Sequence, residues 1–357
     1  MEISPSFHSL FNEKYSIESR KMLRALSENS RASISSLAQF SGLSRVTVLK
    51  KLRQLESALG IKYVLELDEA KLGLVSPHLV TAKFAKKPSY EEIARLLSSS
   101  YIPQVAVATK GHYDLIIYAT SPSSGEYARW DKSMQILLSK YGVTWRSSWV
   151  VHRQLGFFPL RNELLERLQI NQKYKPLLEL LNSNARLSFS EISRRLGMHF
   201  NTVAYNFRKL MLSGYVVRPT IVMQPRPELT FMSFFTKYSP SEGYEESSAQ
   251  ARKAFMSDDP YSLISRYLVC APLIGSYDFF TLGVFDNFKT ALRQDVQYHK
   301  RLFVKHKIRM EYAVVDKVLL GYLPIRSIDT AKEYKLIKWS VEPNAALPLS
   351  ASQPVRK

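Results

Sequence analysis

Two stretches of the chain carry hydrogen-bond donors at helical spacing. The first holds Ser44, Arg45, Thr47, Lys50, Lys51, Arg53 and Gln54, and the second His199, Asn201, Thr202, Tyr205, Arg208 and Lys209. In each, apolar residues return at i, i+4 and i+7, as Val48, Leu52 and Leu55 and as Val203, Phe207 and Leu210. A helix with that pattern buries one face and turns its polar face outward. Guanidinium, ammonium, amide and hydroxyl groups on one such face suit phosphate oxygens and the acceptor-bearing edges of base pairs. That is the chemistry of recognition rather than of bond making.

The elements that must position these donors are repeated. At a constant offset of 155, Asn29 matches Asn184, Arg31 Arg186, Ser33 Ser188, Gly42 Gly197, Thr47 Thr202 and Arg53 Arg208. In the first copy Met22, Leu23 and Leu26 share a helical face, and Ser33 is placed to cap a second helix carrying Leu37 and Phe40. In the second copy Ser188 and Glu191 form a capping-box pair. Gly42 and Gly197 can take the left-handed conformation that ends a helix and turns the chain into the donor-bearing one. Strands are expected next, IKYVLELD from Ile61 and YVVRPTIVM from Tyr215, as the wing of each unit. The segment RNELLERLQINQKYK from Arg161 reads as a charged helix, either a connector or the start of the second unit.

Charge is concentrated on the same elements. The 357 residues include 50 Lys and Arg against 31 Asp and Glu, a net of +19. Much of the excess lies in Arg20 to Lys62 and in Lys173 to Arg218, which favours a polyanionic partner. The single cysteine, Cys270, excludes an intramolecular disulfide framework. No run is apolar and long enough to span a bilayer, and the first residues lack a secretory pattern. A cytoplasmic protein with no membrane partner is the expectation.

Beyond each three-helix unit the order changes to β-α-β-β-α-β. In the first copy strands are expected near 79–84, 105–109, 114–120 and 144–152, with helices near 90–99 and 126–141. In the second, strands are expected near 231–237, 266–271, 278–285 and 308–317, with helices near 244–256 and 287–306. Gly111-His112-Tyr113-Asp114 returns as Gly275-Ser276-Tyr277-Asp278. The expected architecture is α+β, a tandem repeat of a winged helix-turn-helix plus a ferredoxin-like domain. Its domains are 18–70, 71–160, 161–225 and 226–326, with a tail at 327–357.

This ordered pair, carried by LRALSENSRASISSLAQFSGLSRVTVLKKLRQLE, VATKGHYDLIIYAT and GVTWRSSWVVHR, resembles the feast/famine (leucine-responsive regulatory protein and asparagine-regulator) transcription regulators. The resemblance implies a regulator of double-stranded DNA that responds to an amino acid or related small effector. It places Gly111, Tyr113 and Asp114, with Gly275, Tyr277 and Asp278, near the effector pocket. It also implies pairing through the ferredoxin-like sheets, as an intramolecular pseudo-dimer or a homodimer. Because the two donor faces differ, the two heads are expected to prefer different half-sites.

Two other readings share parts of this pattern. Siroheme decarboxylases resemble the same two-domain architecture, but their Tyr-x-Arg signature is not found at the strand before the Gly-x-Tyr-Asp turn, and the histidines are scattered without a shared pattern between the copies. A sequence-tolerant DNA-coating protein would carry the same charge. No Gly-rich phosphate loop, metal-ligand spacing or nucleophile-base arrangement stands out. The expectation is therefore no cofactor, no metal and no enzymatic activity.

Overall fold

The computed structural model describes residues 15–151, 156–224, 229–237, 267–285, 287–291 and 309–324. The first half runs α1 (Ile17–Glu28), α2 (Ile34–Ser41), α3 (Arg45–Leu59), β1 (Lys62–Leu67), β2 (His78–Phe84), α4 (Tyr90–Ser98), β3 (Pro103–Gly111), β4 (Leu115–Ala119), α5 (Ser124–Leu138) and β5 (Val143–Val150). The second runs α6 (Asn162–Leu165), α7 (Lys175–Ser183), α8 (Phe189–Leu196), α9 (Phe200–Leu212), β6 (Val216–Met223), β7 (Thr230–Lys237), β8 (Tyr267–Gly275), β9 (Phe279–Phe285), α10 (Phe288–Ala291), β10 (Arg309–Leu320) and β11 (Leu323–Pro324). The helix expected at 244–256, most of that at 287–306 and the tail lie outside the described residues.

The heads form for local reasons. Ser33, Ser44 and Ser188 cap α2, α3 and α8, each hydroxyl accepting from the backbone N–H three residues on. Gly42 and Gly197 close the second helices at φ 76° and 62°. Met22, Leu23, Leu26, Leu37, Val48, Leu52 and Leu55 fill one head, and Leu177, Leu178, Leu181, Ile192, Val203 and Leu210 the other. α2 carries Leu37 and Phe40 as expected, with Leu37 buried and Phe40 41% exposed. Two expectations need correction. Glu191 does not reach back to complete a capping box, because Arg194 and Arg195 hold its carboxylate at 2.7 Å. The segment from Arg161 is not one helix: α6 stops after a turn, Leu164, Leu165, Leu168 and Ile170 bury themselves, and α7 begins with Pro176 in its first turn.

The strands after each head do not make separate wings. β1 pairs antiparallel with β6, from Lys62 opposite Val222 to Leu67 opposite Val216, and β11 extends the ribbon through Leu323 opposite Met223. A lone strand leaves a row of backbone donors and acceptors unpaired, and here each head supplies the other's partner. The first helix of each head packs across the ribbon, α1 on β6 and α7 on β1. Ser30 N–H donates to the Pro219 carbonyl and Ala185 N–H to the Tyr63 carbonyl, each at 3.0 Å.

The remaining eight strands close into a barrel in the order β10-β3-β4-β2-β5-β8-β9-β7. Each half supplies four adjacent strands, and the halves meet at two seams, β5 with β8 and β10 with β3. The two halves of one chain thus pair with each other. Strand alternation divides the residues: Val80, Ala82 and Phe84 face α4 and α5, whereas Leu79 joins Tyr118, Phe231, Phe235 and Phe280 inside the barrel. At the seams only glycine fits. A Cβ on Gly111 (φ 146°) would stand 2.6 Å from the Tyr312 carbonyl oxygen, and one on Gly275 (φ 134°) would stand 3.0 Å from that of Ser147. No helix among the described residues is long and apolar enough to cross a membrane.

Candidate nucleic-acid interface

α3 buries Val48, Leu52, Leu55 and Leu59. The opposite face carries Val46, Lys50 and Arg53, all exposed, with Gln54 beside them. The row i, i+4, i+7 lies about 180° from the core at 100° per residue. α9 presents the matching row of Asn201, Tyr205 and Arg208, also exposed, with Thr202 and Lys209 on its flanks. The outward donors expected from the sequence are therefore assembled on two helices. Arg45 is exposed beside the first row.

Some expected donors already have partners within the protein. The Ser44 hydroxyl lies 2.9 Å from that of Thr47, and it accepts from the Thr47 N–H as the cap of α3. Lys51 turns to the flank and donates to Ser16 Oγ at 3.0 Å. Nδ1 of His199 accepts from Asn201 N–H at 3.3 Å and so caps α9. Two ammonium groups lie near the Tyr205 ring, Lys173 at 5.7 Å and Lys209 at 5.6 Å from its centroid, which concentrates positive charge on that helix.

Sequence reading recorded Arg31 and Arg186 as a repeat match and missed what they do. Arg31 Nη1 crosses to the second head and donates to the carbonyls of Ala185 (2.5 Å) and Leu187 (2.9 Å), while its guanidinium lies 4.5 Å from the Phe189 ring centroid. Arg186 returns the contact, with Nη2 3.5 Å from the Ala32 carbonyl and its guanidinium 5.1 Å from the Tyr63 ring centroid. Burial, then the nearby Arg186 charge, pulls the Arg31 pKa down. The clamp and the β1–β6 ribbon hold the heads together, so the two donor-bearing faces keep a fixed relation. The equivalence of the two arginines under the offset of 155 was the available signal.

The six residues assigned to an effector pocket occupy the two seams. Tyr113 and Tyr277 are 2% and 4% exposed and reach into the barrel, where both rings contact Phe235. The Tyr113 hydroxyl lies 3.1 Å from Ser233 Oγ. Asp114 accepts from Phe84 N–H and ion-pairs with Lys83 at 3.2 Å and Lys87 at 2.8 Å. Burial alone would raise its pKa, but these donors outweigh it and hold the carboxyl below its usual range. Asp278 pairs with Lys237 at 3.0 Å. Beside Tyr277 lies a polar cluster not read from the sequence: its hydroxyl donates to Glu311 at 2.6 Å and accepts from Arg146 at 3.1 Å.

The winged helix-turn-helix DNA-binding family matches the chain twice, at residues 19–58 and 177–217. An uncharacterized HTH-type transcriptional regulator of Pyrococcus horikoshii is 24% identical over 165 residues, 46% of this chain and 94% of that protein. Both helix-turn-helix matches fall on the three-helix heads. Its described fold also matches the crystal structure of the siroheme decarboxylase NirDL, with a TM-score of 0.53 and 14% identity over 91% of this chain and 99% of that one. The leucine response regulatory protein of Mycobacterium tuberculosis aligns with a TM-score of 0.33 and 18% identity, over 39% of this chain and 93% of its own.

The NirDL match corrects one sequence expectation. Enzymatic activity was excluded because no catalytic motif stood out, yet an enzyme has this tandem architecture almost end to end. The absence of a recognisable motif therefore does not exclude catalysis on this fold.

Proposed function

We propose that this protein is a sequence-specific transcription regulator that binds double-stranded DNA with two non-identical recognition helices, α3 and α9. The observation carrying the proposal is the pair of exposed cationic faces, Lys50 with Arg53 and Arg208 with Lys209, on two heads joined by the Arg31–Arg186 clamp. A recognition helix enters the major groove, and its first turns meet base edges while basic side chains hold phosphates. With the halves paired internally, one chain presents both heads, and it covers two unequal half-sites about one helical turn (~34 Å) apart. A small amino-acid-like effector at the Gly-x-Tyr-Asp turns, working in the cytoplasm, completes the reading that the family resemblance supports. Selection from a random duplex pool tests it. Recovery of a defined two-part site supports a specific regulator, and equal binding to random duplexes supports a DNA-coating protein instead.

The second reading is a tetrapyrrole enzyme, favoured by the extent of the NirDL match. Titration with an iron-uroporphyrin analogue separates the two. A stoichiometric shift of its absorbance band, with turnover of siroheme, favours the enzyme; an unchanged spectrum favours the regulator.

A further inference from the structure

Aligning the two recognition faces by the offset of 155 divides their residues into a shared set and a differing set. Thr47 and Thr202 are the same, as are Arg53 and Arg208. In the outward row itself Val46 stands where α9 has Asn201, and Lys50 stands where it has Tyr205. Shared residues at matched places suit what every half-site offers, the phosphate backbone. Differing residues suit what half-sites do not share, the base edges.

Val46 is the odd member of this face. It is the second residue of α3 and 78% exposed, the most exposed of the large apolar side chains among the described residues. It takes no part in the core of the head, which Val48 and Leu52 fill, and it does not cap the helix, which Ser44 does. A β-branched residue is also a poor choice for a solvent-facing helical position. An isopropyl group in the first turn of a groove-entering helix has one apolar feature to meet there, the C5-methyl of thymine. A carboxamide at the same place in α9 has the geometry for a bidentate contact with adenine N6 and N7.

We infer that Val46 and Asn201 are specificity-determining residues that read different bases at one shared register, thymine in the half-site under α3 and adenine in that under α9. This deepens the proposed function and rests on it. Two identical heads would favour an inverted repeat. The Val46/Asn201 difference breaks the repeat at its own register and, with the Lys50/Tyr205 difference, gives the bound chain a single orientation on the duplex.

Duplex selection with the full chain tests the inference, comparing wild type with V46N, N201V and the exchanged V46N/N201V protein. All the substituted side chains are exposed, and unchanged circular dichroism and thermal midpoint confirm folding. Wild type should return a near-palindrome with thymine in one half-site and adenine at the equivalent place in the other. V46N should turn that thymine into adenine, and the exchange should swap the thymine and the adenine between the two half-sites while the rest of the site stays as it was. Replacing the thymine by uracil removes only the methyl, and should weaken wild type on the order of five-fold while leaving V46A indifferent. A defined consensus that V46N leaves unaltered, or indifference of wild type to uracil, overturns the inference and spares the proposed function. Recovery of no consensus overturns both.

Discussion

Arg146 and Glu311 occupy equivalent positions in the two halves and form an ion pair with each other at 3.1 Å. The seam registers establish the equivalence: Ser148 faces Gly275 and Ala313 faces Gly111, and the pair lies two residues back in each strand. In two identical halves each position would meet its own copy, arginine against arginine or glutamate against glutamate. The unlike pair makes the first half the electrostatic partner of the second. R146E and E311R should each lower the thermal midpoint, and R146E/E311R should recover most of the loss. Both side chains are partly solvated or networked, so a double-mutant cycle should give a coupling of roughly 1 kcal/mol. Additive losses would show that the pairing has no role in joining the halves.

The same carboxylate predicts an acid response. Burial pushes the Glu311 pKa up, but the Tyr277 hydroxyl and the Arg146 and Arg309 charges outweigh it and hold it below the usual range. A depressed folded-state value contributes stability fully present above the unfolded value, about 4.3, and lost as pH falls through the folded one. Thermal midpoints measured from pH 7 down to pH 3 should fall in that window. E311Q should be less stable at neutral pH and show a flatter acid limb. An acid limb unchanged by E311Q would remove Glu311 as its source.

The arginine clamp should govern how the heads work together. R31A removes two hydrogen bonds to carbonyls and a guanidinium stacked on Phe189, a loss of about 2 kcal/mol. R31K keeps the charge without the fork and should recover little. On duplexes whose half-sites are moved apart by one or two base pairs, R31A should tolerate the change better than wild type in mobility-shift titrations. Identical spacing profiles would show that the clamp does not set the distance.

Arg53 and Arg208 are expected to hold phosphates. R53A and R208A should weaken binding almost equally on all sequences, and each should reduce the log–log salt slope by about 1. A loss confined to one base position would instead assign that arginine to base readout.

Much of this architecture was legible because its signals are local. Ser33, Ser44, Gly42 and Gly197 mark helix ends within a few residues, and the period of Val48, Leu52 and Leu55 gives the buried face directly. The strands of the barrel were placed within a few residues of their observed ends for the same reason. What sequence reading lost was long-range pairing. Nothing near Lys62 or Val222 says that each completes the other's ribbon, so a separate wing for each head was the natural inference. The contacts of Arg31 likewise depend on carbonyls about 155 residues away. Val46 was passed over because a valine on a donor face offers no hydrogen bond to notice.

The central claim is that one chain grips one duplex with both cationic heads. Fluorescence anisotropy across a range of salt concentrations, on a duplex obtained by selection, measures this directly. With about four phosphates neutralised per head, the plot of log affinity against log salt should be linear with a slope near −7, at one chain per duplex. A slope near zero, or saturation with only one head engaged at about half that slope, would contradict the account.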